Sequence, residues 1–148
     1  MALIGKEDAE EIRKELEEHL DGDVKLTLVG PSAENPPARD FTRQIRGLLD
    51  EIVALSPKLS LDYVDAPTPE QRTALAMEPD EGGPLTVVSG KARGKVRFVG
   101  APSGHEFPNL IRAIMDVSRG EAELTAASRQ ALAKVARPVH IKVFFTPT

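Results

Sequence analysis

The chain has 148 residues, of which 41% are hydrophobic and 28% charged; this is the balance of one folded domain, or one domain and a fragment of another, and it argues against disorder. Its 19 Lys and Arg stand against 23 Asp and Glu, a formal net charge of −4, so no nucleic-acid or anionic-membrane partner is expected. Cysteine is absent, which removes disulfides, thiolate metal sites, iron–sulfur clusters and any thiol nucleophile. No apolar run approaches the roughly 20 residues of a membrane span, and no signal-peptide core follows Met1. The expectation is a soluble, cytoplasmic protein.

The first predicted helix runs from Glu7 to Leu20. Ile12, Leu16 and Leu20 recur every four residues, and acids fill its first turn. Asp21-Gly22-Asp23 ends it, and Val24 to Val29 alternates as a half-buried strand. Pro31, Pro36 and Pro37 read as keeping Gly30 to Ala38 a loop. A second helix then starts near Asp40 or Phe41, buries Phe41, Ile45, Leu48, Leu49 and Ile52, and closes at Pro57. Leu59 to Val64 alternates as a strand. A short helix fits within Pro69 to Met77, before Pro79, Gly82 and Gly83 interrupt. Leu85 to Val88 and Lys95 to Val99 form a hairpin around Gly90-Lys91-Ala92-Arg93-Gly94, with two glycines available for positive φ. Its basic residues Lys91, Arg93, Lys95 and Arg97 read as a solvated face. Phe107, Leu110, Ile111, Ile114 and Met115 mark a strongly apolar helix ended by Gly120. Thr125 is an N-cap for a helix reaching Val135, and Val139 to Phe145 alternates as a last strand.

Without the first helix and the last two elements, the order is β-α-β, a short helix or loop, a β-hairpin and a helix. A βαβ unit requires a parallel pair and the hairpin adds an antiparallel one. The predicted fold is therefore α/β and thioredoxin-like: a mixed four-stranded sheet flanked by helices. The chain also begins to repeat itself. Helix, linker and strand return after residue 123, and Val139, Ile141 and Val143 match Val24, Leu26 and Leu28. The predicted division is 1–120 as one thioredoxin-like unit, and 121–148 as the linker helix and first strand of a second, truncated unit. One domain closing on an edge strand is the alternative.

Thiol–disulfide exchange needs a low-pKa thiolate at a helix N-terminus after a strand. Here Arg39 and Thr42 occupy the spacing of a C-x-x-C pair, and a Thr hydroxyl does not replace a thiol. No catalytic residue is therefore assigned. Gly83-Pro84 precedes the strand that begins at Leu85; in thioredoxin-like folds such a proline is cis and exposes the preceding backbone to an extended substrate, so these two are the candidate substrate-binding residues. His19, His105 and His140 lack metal-ligand spacing, and neither a metal nor a cofactor is expected. His105 and Glu106 read as a capping or packing pair. Asp62 and Asp65 are close in sequence, but they are weak as a pair of catalytic carboxylates.

The stretch Val96-Arg97-Phe98-Val99-Gly100-Ala101-Pro102-Ser103-Gly104-His105-Glu106-Phe107 resembles a segment shared by two related groups. One is the glutaredoxin-like protein disulfide oxidoreductases, built of two fused thioredoxin-fold units. The other is the N-terminal domain of the flavoprotein subunit of alkyl hydroperoxide reductase. The runs Leu48-Leu49-Asp50-Glu51-Ile52-Val53-Ala54-Leu55-Ser56-Pro57 and Val139-His140-Ile141-Lys142-Val143-Phe144-Phe145 are similar to the same groups. The resemblance implies a first, degenerate unit that supports exchange by a second, cysteine-bearing unit of the same protein. This chain would not itself be an enzyme, while the whole protein would be a disulfide oxidoreductase. Alternative readings are a non-catalytic module binding an extended peptide, and a hydrolase or transferase using the loop 30–38, which has no base near a nucleophile. The strand from Val139 to Phe145 is further expected to be paired, in a homodimer or within its own sheet, with His140 and Lys142 turned away and tolerant of change.

Overall fold

The single apolar stripe of the first helix has one place to go. In the computed structural model of the chain, which describes residues 2–31, 36–78 and 81–144, α1 (Lys6–His19) lies with Leu16 fully buried. β1 (Val24–Val29), α2 (Pro36–Val53), β2 (Leu59–Val64), α3 (Pro69–Ala74), β3 (Leu85–Ser89) and β4 (Val96–Val99) follow. A 3-10 turn (Gly104–Glu106) leads into α4 (Phe107–Arg119), and α5 (Ala126–Leu132) comes last. The strands form one sheet in the order β2-β1-β3-β4. β1 is parallel to β2, with Val24 opposite Leu59 and Val29 opposite Val64, so α2 is the crossover that a parallel pair requires. β3 is antiparallel to β1, and β4 to β3. This is the thioredoxin-like arrangement.

One face of the sheet carries the main core. Leu26 and Leu28 of β1 and Val88 of β3 are buried against Leu16, against Ile45, Leu49 and Ile52 of α2, and against Leu110 and Ile114 of α4. Each such side chain contributes about 1.5–3 kcal/mol. The other face carries a smaller cluster, Val29, Leu85 and Val87, closed by Leu75 and Met77. This second cover overrides the expected alternation of β1, whose one exposed residue is Lys25. A strand held between two neighbours and covered on both faces has no solvated side.

Three local expectations also give way. α2 begins at Pro36, not near Asp40. Proline is well placed in a first helical turn, where its missing N–H would have had no intrahelical acceptor. Positive φ occurs at Gly100, Gly104 and Gly120, not at Gly90 or Gly94. Gly90 serves close approach instead, because a Cβ there would lie 2.9 Å from the Asp23 carbonyl oxygen and 3.1 Å from Val117 Cγ1. Arg97 is not part of a solvated face: its side chain is 11% exposed and pairs at 2.7 Å with Glu81, itself 10% exposed.

The largest departure is at the end of the chain. Every described residue from 121 to 144 is exposed. Thr125 does cap α5, its side chain accepting from the Ser128 N–H, but the helix stops at Leu132 and buries nothing. A helix this short has little stability without a surface to pack on. The strand expected from Val139 to Phe145 is not formed over 139–144, and Phe145 and the residues after it lie outside the described residues. A strand needs a neighbour for its backbone groups, and this segment meets the body through the side chains of His140 and Lys142. These two therefore face the body, the reverse of the orientation expected from the sequence.

Candidate functional site

The mixed sheet gathers four chain segments at one end: Gly30 after β1, Tyr63 to Asp65 closing β2, Gly83 and Pro84 opening β3, and Gly100 after β4. The Gly30 N–H donates to the Val64 carbonyl at 2.8 Å, and the Gly100 N–H to the Pro84 carbonyl at 2.9 Å. The Gly83–Pro84 peptide is cis. Gly83 lies directly on Gly30. A Cβ at 83 would run into the Gly30 carbonyl and come within 2.8 Å of the Val29 carbonyl oxygen. Gly30 in turn would bring a Cβ to 2.7 Å from the Tyr63 hydroxyl and 3.0 Å from Asp65 Oδ1. Glycine is needed at 83 because backbone meets backbone there, whereas at 30 the crowding comes first from the Tyr63 and Asp65 side chains.

α2 leaves from this end of the sheet and carries Arg39 and Thr42. Thr42 is buried at 3% exposure, and its hydroxyl donates to the Ala38 carbonyl at 2.8 Å. Arg39 is exposed, with its charge acting on Tyr63. Because α2 starts at Pro36, both residues sit within helical turns and not at the cap. Neither supplies a nucleophile: one is a permanent cation, and the other a hydroxyl committed to its own helix.

Tyr63 is a site residue that its place in the sequence does not announce. Its hydroxyl donates to Asp65 Oδ1 at 3.0 Å, and the Arg46 guanidinium stands 5.3 Å from its ring centroid, within cation–π reach. Partial burial first, and Asp65 second, push the phenol pKa up, so it remains a hydrogen-bond donor at neutral pH. The available signal is its being the one tyrosine of the chain, at the end of a strand two residues before an aspartate. Asp62 and Asp65 are drawn apart, Asp62 to Lys25 at 2.6 Å and Asp65 to Tyr63.

Phe41 is 41% exposed and does not complete the core. It lines an apolar cleft of about 460 Å³ with Leu3, Ile4, Ile45, Leu48 and Phe107. His105 is exposed, and Glu106 occupies the α4 N-cap without a side-chain cap hydrogen bond, so the expected side-chain cap is not made; the half-buried Glu106 instead accepts from the Asn109 side chain at 3.5 Å. Among the described residues, no group of three or more His, Asp or Glu side chains is placed to hold a metal ion. No helix among them is long and apolar enough to cross a membrane.

No protein-family model matches the sequence, and no curated protein matches it. Solved structures do. The alkylhydroperoxide reductase protein AhpF from Enterococcus faecalis superposes with a TM-score of 0.70 at 21% identity, over 91% of this chain and 61% of its own. The NTD_N/C domain of AhpF from the same organism gives 0.68 at 21% identity, over 86% of this chain and 58% of its own. A protein disulfide oxidoreductase from Aeropyrum pernix gives 0.62 at 22% identity, over 88% and 55%. At this identity the likeness establishes the fold alone. The chain spans 61%, 58% and 55% of the lengths of these structures.

Proposed function

We propose that this chain is a redox-inactive thioredoxin-fold module of a glutaredoxin-like disulfide oxidoreductase, and that it supports exchange by a second unit of the same protein. One observation carries the reading: the site end of the fold is intact while its chemistry is missing. Gly30, Gly83 and Pro84 keep their close contact, yet Arg39 and Thr42 stand at the spacing of a dithiol in a chain without cysteine. The fully exposed stretch 121–144, with Leu132, Val139, Ile141 and Val143 open to solvent, supports a second unit as the cover. Residues 121–148 are then the linker helix and first strand of that unit, and the whole protein works as an oxidoreductase in the cytoplasm.

Two measurements test this. The first is the reading frame after the codon for Thr148: a Cys-x-x-Cys shortly downstream supports the proposal, and a stop codon overturns it. The second is disulfide reduction by this chain with dithiothreitol as donor, where no rate above the reductant-only control is expected. A second reading, a non-catalytic peptide-binding module, is favoured by the half-buried Gly83 and Pro84 at the open start of β3, where an extended peptide would pair with backbone. Saturable peptide binding that is lost in Pro84→Ala would favour that reading.

A further inference from the structure

Arg97 ties together three parts of the chain that are remote in sequence. It projects from the edge strand β4 with its side chain largely buried, and pairs with Glu81 at 2.7 Å. It also donates to the Ala76 carbonyl at 2.6 Å, and its other terminal nitrogen meets His140 Nε2 at 2.8 Å. The segment that holds it is itself braced, since Arg72 donates to the carbonyls of Glu78 and Glu81 at 2.6 and 3.2 Å. Glu78 completes the contact, with its Oε1 3.4 Å from His140 Nδ1 and 3.3 Å from Lys142 Nζ.

These contacts bear on which ring nitrogen accepts. A guanidinium only donates, so Nε2 facing Arg97 must accept, and the proton must sit on Nδ1, the nitrogen that faces Glu78. That is the neutral ring. A second proton would set two donors against each other at the shortest contact. Glu78 Oε1, at 3.4 Å from Nδ1 and shared with Lys142 at 3.3 Å, offsets part of that repulsion and not all of it. The charged groups around the ring are Arg97 from β4, Glu78 from the chain between α3 and β3, with Glu81 behind it, and Lys142 from the ring's own segment. Val139, Ile141 and Val143, between and beside the two docked residues, are 67%, 79% and 85% exposed.

We propose that Arg97 and neutral His140 form a proton-sensitive clasp that lays the segment 139–144 along β4 with its apolar side outward, and that releases it when the imidazole is protonated. The clasp orients a strand-forming stretch before any partner arrives, whether that partner is a further unit or a second copy. It does not depend on the function proposed above.

The absence of cysteine makes the test direct. A single nitroxide is attached through Ile141→Cys, and the paramagnetic broadening of the β4 amides is followed by NMR at pH 8 and at pH 5, the span over which imidazoles titrate. The parent is expected to show strong broadening at pH 8 and to lose it at pH 5, with the chemical shifts of the β1 amides unchanged as evidence of an intact body. His140→Gln retains an acceptor and takes up no proton, so it should stay broadened at both values. His140→Ala should lose the broadening at both. Broadening that survives in His140→Ala, or is lost at pH 5 in His140→Gln as well as in the parent, would overturn the clasp.

Discussion

Two stretches of similar pattern meet opposite fates. Val24, Leu26 and Leu28 alternate in β1 and are buried at 1%, 0% and 0% exposure. Val139, Ile141 and Val143 alternate in the same way and are almost wholly solvated, with no strand formed. Intrinsic preference even favours the later stretch, where the β-branched Ile141 and Val143 stand in place of Leu26 and Leu28. The difference is the neighbour: β1 lies between β2 and β3 and under three helices, whereas the later stretch forms no strand with any described residue and meets the Arg97 and Glu78 side chains. Alternation says that a segment suits a sheet, and the sheet itself decides whether the segment becomes a strand.

The contrast can be broken most severely at the contact that opens β3. Gly83→Ala forces a methyl into the Gly30 carbonyl, and a loss of about 4 kcal/mol or outright failure to fold is expected; a urea midpoint close to the parent's would show that the two segments can part freely. Next comes the core. Ile114→Ala should cost about 3 kcal/mol, while Ile141→Ala should stay within about 0.5 kcal/mol. Equal losses in chemical denaturation would mean that the end of the chain is packed after all. Arg97→Leu leaves Glu81 in a largely enclosed place without its partner and should cost about 2 kcal/mol, read from the same curves.

A smaller effect on stability, but a sharper one on assembly, is expected from deleting residues 138–148. If a second copy covers the apolar side of 139–144, the parent sediments as a dimer and the truncated chain as a monomer, with little change in the stability of the body. A monomer in both cases would leave the segment without a self-partner. The smallest effect lies at the other terminus. The Glu51 carboxylate accepts from the Leu3 N–H at 2.8 and 3.0 Å and from the Ile4 N–H at 2.8 Å. These two backbone donors, Leu3 first, hold its pKa below the usual range. The contact is present at neutral pH and is lost as pH falls through that lowered value. Acid-induced shifts of the two amides should therefore vanish in Glu51→Gln.

The sequence by itself determined the element order. Leu16, Ile45, Leu49, Leu110 and Ile114 recur at helical spacing, and every helix and strand built around such a pattern within 6–119 is present. It also determined that these 148 residues carry no thiol, because that is a matter of composition. Tertiary structure decided the rest. That Gly30 and Gly83 touch, and that Tyr63 comes to lie below Arg46, depend on which segment lies beside which. Arg97 became an enclosed partner of Glu81 and His140 for the same reason. Helical periodicity is local, and a short window of sequence contains it. Contacts between segments tens of residues apart are set by strand order and by the backbone clearance between neighbouring strands, and no local window contains those.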